Sequence, residues 1–153
     1  MRIEIPKLSA EGEHLEGEEP KEVLELEEDR FMRPSGPLRY ALFVQVATHQ
    51  LVVKGRVGVE MDLMCSRCAE FFSTTAVDSS FLRAYELKAG TEVVDITGDF
   101  REAVLLNMAS YPVCSPDCRG LCPQCGRNLN KGSCSCHAPE RSSPWDGLDQ
   151  LDL

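Results

Sequence analysis

Apolar and polar residues alternate along two consecutive stretches in the middle of the chain. One face of the first stretch carries Tyr40, Leu42, Val44 and Val46, and one face of the second carries Val53, Gly55, Val57, Val59, Met61 and Leu63. A period of two is typical of strands with one buried face. Residues 48–50 and 66–70 predict turns, and residues 71–85, rich in Thr, Val and Phe, predict a third strand. We therefore expect an antiparallel β-meander of about three strands.

After the strands, the apolar period becomes that of a helix. Four apolar residues recur at helical spacing, namely Phe100, Val104, Leu105 and Met108. The sequence from Asp99 to Glu102 resembles a capping box, so we expect one helix to begin there, pack on the sheet and stop at Pro112. A second, short helix is predicted to open at Ser143, with three apolar residues along it: Trp145, Leu148 and Leu151.

The first part of the chain is strongly acidic. The formal net charge is −9, and ten of the nineteen residues from Glu11 to Asp29 are acidic, against one lysine. Such a stretch repels itself and has little to bury, which predicts a flexible or weakly ordered arm. Residues 33–37 contain two prolines and a glycine, which predict a turn or linker. This acidity disfavours nonspecific binding of phosphate by the whole surface.

Eight cysteines require an explanation in this chain. No apolar run resembles a secretory leader or a membrane span, so we expect a cytoplasmic protein, in which clustered cysteines bind metal more often than they form disulfides. Cys122 and Cys125 are followed by Gly126 and have the spacing of a zinc knuckle. Cys134 and Cys136 supply a second pair that a small hairpin can bring to the same metal. These four predict one tetrahedral zinc site.

The other four cysteines form two further pairs, Cys65 with Cys68 and Cys114 with Cys118. They predict a possible second zinc site that joins the end of a strand to the start of the tail. Two alternatives remain at this stage: Cys114 or Cys118 joins Cys122 and Cys125, or His137 replaces a cysteine.

Together these patterns predict an α+β fold. It would comprise a small antiparallel β-meander with one packed helix, an acidic N-terminal arm and a Cys-rich zinc-binding C-terminal tail. The expected boundaries are residues 1–37 for the arm and linker, 38–112 for the meander and helix, and 113–153 for the tail with its short helix.

The motifs of common enzymes are absent from the sequence. It has no Gly-rich phosphate loop, no nucleophile elbow and no His-Glu-x-x-His, and complete thiolate sets leave no open position on a metal. We therefore expect a nonenzymatic protein with structural zinc and no small-molecule substrate. A thiol redox protein using Cys65 and Cys68 is an unfavoured alternative, because that pair follows an antiparallel-type strand rather than opening a helix.

Four segments of the sequence resemble the YceD family, also described as a domain of unknown function. They are Met64 to Cys68, Val94 to Thr97, Tyr111 to Cys114, and Cys118 to Asn130. The resemblance extends over roughly residues 38–151. It implies a role in accumulation of large-subunit ribosomal RNA, hence in ribosome biogenesis, with no established enzymatic activity and with metal supporting local structure.

Two modes of action fit the role that this resemblance implies. In the first, the protein is an adaptor whose acidic arm binds a basic ribosomal protein or a pre-ribosomal particle. In the second, the zinc tail contacts ribosomal RNA directly through four basic residues: Arg119, Arg127, Lys131 and Arg141. The net charge favours the adaptor.

Overall fold

The computed structural model of the protein describes residues 1–26 and 29–136. These ranges contain seven strands and one α-helix: β1 (Arg2–Glu4), β2 (Glu13–Glu19), β3 (Met32–Pro34), β4 (Leu38–Ala47), β5 (Gln50–Met64), β6 (Phe71–Glu86), β7 (Val93–Asp95) and α1 (Thr97–Leu106). Two 3₁₀ turns cover Ile5–Lys7 and Lys21–Leu24. The α+β class predicted from the sequence is thus confirmed.

An antiparallel sheet forms the body of the protein, with the strand order β2-β4-β5-β6. The short strand β3 lies beside the C-terminal half of β5, on the same side as β4. The predicted meander corresponds to β4, β5 and β6, and its turns fall at residues 48–49 and 65–70. A bulge between Gly55 and Val57 interrupts the pairing of β5 with β6.

The core lies between one face of this sheet and α1. Alternate residues of β4 and β5 are buried, as a period of two requires, and they include Leu42, Val44, Leu51, Val53, Val57, Val59 and Met61. From the helix, Phe100, Ala103 and Val104 are buried against them. The ring of Phe100 lies 5.7 Å from that of Phe81 and 5.6 Å from that of Tyr40. Aromatic packing therefore fixes the helix on the sheet.

The acidic segment differs from the expected flexible arm. Residues Glu13–Glu19 form β2, which pairs with β4 along all seven of its residues. The following 3₁₀ turn buries Leu24 completely, and Leu26 is also buried. Backbone pairing and two buried leucines hold the segment, while exposed glutamates are tolerated because β2 is an edge strand. The sequence pattern underestimated this because β2 is held mainly by backbone pairing, and Leu15 is the one hydrophobic residue of the strand that packs against the core.

Three further short strands were not expected from the sequence. Residues Met32–Pro34 form β3 although residues 33–37 predicted a linker, and the ring of Pro34 is tolerated because β3 has a free edge. In addition, β1 and β7 form a separate two-stranded sheet in which Ile3 is buried. The first residues of the chain are therefore part of the folded body.

The start of the helix differs from the predicted capping box. Helix α1 begins at Thr97, and no side chain caps it from Ile96. Asp99 instead accepts hydrogen bonds from Tyr85 Oη at 2.5 Å and from Arg83 Nε at 3.2 Å. Tertiary partners on β6 thus use the carboxylate that the local pattern assigned to a cap.

The end of the helix also lies earlier than predicted. Helix α1 ends at Leu106, several residues before Pro112, so the proline does not end it. Asn107 follows, and its Nδ2 donates to the carbonyl oxygen of Ala103 at 2.9 Å. This bond satisfies one of the terminal helix carbonyls.

Asp95 binds the first amide of the helix, and this contact can be tested. Its Oδ1 accepts from Thr97 Oγ1 at 2.6 Å and from Thr97 N at 3.0 Å, and Arg2 Nε donates to Oδ2. These hydrogen bonds, chiefly those from Thr97, hold the pKa of Asp95 well below its usual range. Asp95→Ala should lower the free energy of unfolding by about 1 kcal/mol at neutral pH, as measured in urea.

The sign of the pH dependence follows from this lowered pKa. The contribution of Asp95 is complete above its unfolded-state pKa of about 4 and is lost as pH falls towards the lower folded-state pKa. The wild type and Asp95→Ala should therefore converge in stability in acid. Asp95→Asn, which keeps an oxygen acceptor, should lose less; an Ala variant as stable as the wild type at neutral pH would contradict the assignment.

No helix within residues 1–26 and 29–136 is long and apolar enough to cross a membrane. The helix predicted around Trp145, Leu148 and Leu151 lies outside the described residues.

Candidate metal centres

The first cysteine pair lies in a tight loop directly after β5. In this loop the N–H of Cys65 donates to the carbonyl of Glu70, and the N–H of Ala69 donates back to the carbonyl of Cys65, both at 2.9 Å. Ala69 has a positive φ of 57°, which closes the turn. The N–H of Arg67 points at Cys65 Sγ at 3.5 Å. The loop therefore directs the side chains of Cys65 and Cys68 towards the same point in space.

The second pair reaches that point from the segment after α1. Cys65 Sγ lies 3.8 Å from Cys118 Sγ, and Cys68 Sγ lies 3.7 Å from Cys114 Sγ. All four sulfurs lie within 4.8 Å of one another. Four thiolates around a tetrahedral zinc, with Zn–S bonds of about 2.3 Å, have sulfurs about 3.8 Å apart. These four residues, which the sequence predicted as the possible second zinc site, are named the first cluster because they come first along the chain. They have the spacing of a tetrahedral site.

The remaining cysteines form the second cluster, made of Cys122, Cys125, Cys134 and Cys136. Their sulfurs also lie within 4.8 Å of one another. The loop is a knuckle: the N–H of Gly126 donates to the carbonyl of Cys122 at 2.9 Å, and Gly126 has a positive φ of 71°. A bridge between Leu121 and Asn128 closes the base of the hairpin. The glycine is required at this position because its conformation is unfavourable for residues with a Cβ.

Backbone and amide donors favour thiolates in both clusters. The N–H groups of Cys125 and Gln124 lower the pKa of Cys122 to about 6. The pKa of Cys118 is lowered chiefly by the side-chain amide of Asn130. By contrast, the hydrogen bond with Cys118 raises the pKa of Cys114 to about 12, because adjacent sulfurs resist being ionised together. A divalent cation offsets that repulsion, so the donor sets suit a thiophilic metal.

The structure sorts the eight cysteines into the same two groups that the paired spacing predicted. The alternative in which Cys114 or Cys118 joins Cys122 and Cys125 is not the arrangement observed. His137, the other considered ligand, lies outside the described residues. Each group offers four thiols, which could hold one metal ion without an open coordination position. Metal ligation by these residues stays a prediction.

The four basic residues considered for RNA contact have different surroundings. Lys131 Nζ lies 2.5 Å from Glu70 Oε1, and Arg127 Nη1 donates to the carbonyl of Ser133 at 2.8 Å. Arg119 is exposed, and its guanidinium has no partner among the described residues. Arg141 lies outside the described part of the chain. Two of the four predicted RNA contacts are thus already bonded to groups of the protein itself.

Arg67 is a side chain of the candidate site that the sequence did not indicate. Its Nη1 donates to the carbonyls of Pro116 and Cys118, at 3.0 and 3.2 Å. Its position between Cys65 and Cys68 was the available clue. Arg67 therefore holds the two halves of the first cluster together.

Comparison with known proteins shows that the cysteine-rich half is similar to a described family. Residues 84–152 match the sequence model of the family called large ribosomal RNA subunit accumulation protein YceD. The chloroplastic YCED homolog 1 of Arabidopsis thaliana is 34% identical over 58 residues, which is 38% of this chain and 18% of that protein. Its namesake from Zea mays is 41% identical over 49 residues, which is 31% of this chain and 17% of that protein.

A longer match involves an uncharacterized protein of Mycobacterium tuberculosis. It is 30% identical over 125 residues, which is 72% of this chain and 55% of that protein. The chain thus matches less than a fifth of the length of the plant relatives and about half that of the mycobacterial one. No solved structure matches the chain. The comparisons confirm the resemblance to the YceD family that the sequence motifs predicted, and the family match extends over residues 84–152.

Proposed function

We propose that the protein is a cytoplasmic, noncovalent ribosome-biogenesis factor that supports accumulation of large-subunit ribosomal RNA and is stabilised by two structural zinc ions. The observation that carries the proposal is the pair of four-thiol clusters, which lie in or next to the region that matches the YceD family. Closed thiolate sets suit structural zinc rather than catalytic zinc. Filled sites also leave no dithiol for exchange by Cys65 and Cys68, so an enzymatic role is not proposed.

The adaptor mode is favoured over direct RNA binding by the charges on the surface. Edge strand β2 exposes Glu13 and Glu16, neither of which has an ion-pair partner among the described residues. On the zinc tail, Lys131 and Arg127 already bind groups of the protein itself, and among the described residues of that patch only Arg119 has no partner for its side chain. The expected partner is therefore a basic ribosomal protein or the protein surface of a pre-ribosomal particle.

The proposal can be tested by measuring association with large-subunit precursor particles from cells that lack the protein. Neutralising two exposed charges of β2, in the variant Glu13→Gln/Glu16→Gln, should reduce the association rate about threefold at low salt, because exposed charges act chiefly on encounter. The difference should shrink at high salt as the charges are screened. Substitution is preferable to deletion, because β2 is part of the sheet.

A matched control removes the same charge elsewhere. Glu86→Gln/Asp117→Asn neutralises two exposed acids on β6 and in the tail, and should leave the association rate unchanged. Arg119→Glu distinguishes the RNA alternative: loss of binding in this variant, with the β2 variant unaffected, would favour direct RNA contact. Normal large-subunit RNA levels in cells that lack the protein would contradict both modes.

A further inference from the structure

One asparagine of the second cluster's hairpin contacts the first cluster. Asn130 lies between Cys125 and Cys134 in the sequence, yet its Nδ2 donates to Cys118 Sγ at 3.3 Å. Its Oδ1 accepts from the backbone N–H of Arg119 at 2.8 Å. The N–H group of the Asn130 side-chain amide therefore contacts Cys118 of the first cluster, and its oxygen contacts the next residue, Arg119.

Several further contacts fix this asparagine in place. The N–H of Leu121 donates to the carbonyl of Arg67, inside the loop that carries Cys65 and Cys68. Gly120 has a positive φ of 73°, and a Cβ there would lie 3.0 Å from the same carbonyl oxygen. On the other strand of the hairpin, Lys131 binds Glu70 at the end of that loop. The hairpin therefore lies directly against the first cluster and has little freedom to move away from it.

The geometry points to Asn130 as a positioning residue that couples metal binding at the two clusters. Closing the second cluster on a metal folds the hairpin and brings the Asn130 amide to Cys118, where N–H donation stabilises and orients the thiolate. Hydrogen-bonding partners of metal ligands typically change metal affinity by about 10- to 100-fold. Because coupling is reciprocal, a filled first cluster strengthens the second cluster by the same factor. This inference rests on the metal binding in the proposed function.

Cadmium NMR of the full chain can follow each cluster separately, since cadmium replaces zinc in thiolate sites. Cys122→Ser/Cys125→Ser should leave one resonance, which assigns the first cluster. Asn130→Asp keeps the oxygen that binds Arg119 but replaces the donor that faces Cys118. In the cadmium spectrum, Asn130→Asp should shift the resonance of the first cluster alone. In competition with a chelator, the metal affinity of both clusters should fall by about tenfold, because binding at the two clusters is coupled. Adding Asn130→Asp to the cysteine variant should cause little further loss at the first cluster.

The control is Asn107→Asp, the same chemical change at an asparagine whose side chain, among the described residues, binds only the helix carbonyl of Ala103. It should move neither resonance. Loss of metal confined to the second cluster would overturn the inference, because it would show that Asn130 merely supports its own hairpin. Unchanged resonances and affinities in Asn130→Asp would overturn it as well. Failure of the wild-type chain to bind any metal would instead contradict the zinc sites of the proposed function.

Discussion

Removal of the metal is expected to unfold the tail from residue 113 to residue 136 while the sheet stays folded. The tail has little apolar packing of its own: its well-buried residues are Cys118, Gly120 and Cys122. Around the first cluster, the neighbouring hydrophobic residues are the partly buried Phe72 and Val113. Binding of a structural zinc contributes about 10–16 kcal/mol of apparent free energy in small zinc domains, which is far more than such contacts supply.

Hydrogen exchange after chelation would measure this local unfolding. The amides of Gly126 and Leu129, which donate to Cys122 and Gly120, should lose protection. The amides of β5 should keep their protection, because this strand is paired with β4 on one side and with β6 on the other. Adding zinc back should restore the tail, which provides the control for damage by the chelator. Full protection of Gly126 and Leu129 in metal-free protein would contradict the prediction.

The parts of the fold that sequence could predict are those in which one local pattern decides the structure. In β4 and β5, buried side chains occupy every second position, and that period is visible without knowing the partner strand. Likewise, the spacing of Cys122 and Cys125 before Gly126 reflects local loop geometry. Such features depend on neighbours along the chain and can therefore be predicted from the sequence.

Other features depend on partners that are distant in sequence. The sequence pattern did not predict strand β2, because the strand is held to β4 mainly by backbone pairing and its glutamates show no apolar period. Asp99 was assigned to a cap because its partners, Tyr85 and Arg83, come from another element. Asn130 gave no indication of its contact with Cys118, since an asparagine in a loop is compatible with many roles. At each of these positions, contacts with residues distant in sequence determine the structure.

The strongest effect of a single small substitution is expected at Gly55. Gly55 lies at the bulge of β5, between β4 and β6, with φ +154°. A Cβ at this position would lie 2.2 Å from the carbonyl oxygen of Ala41 and 2.8 Å from Cα of Leu42, both in the backbone of β4. The central strands cannot separate without breaking the ladder, so Gly55→Ala should lower the free energy of unfolding by about 3 kcal/mol.

Gly98→Ala provides the matched control, because it makes the same change where the chain has room. Gly98 lies in the first turn of α1, and among the described residues no atom outside its chain neighbours and the adjacent helix backbone lies within 4 Å of the added Cβ. This variant should be more stable than the wild type by about 0.5–1 kcal/mol, since alanine loses less backbone entropy in a helix. Urea denaturation should show opposite shifts of the midpoint for the two variants at similar slopes. A Gly55→Ala protein within about 1 kcal/mol of the wild type would mean that the bulge relaxes around the methyl group.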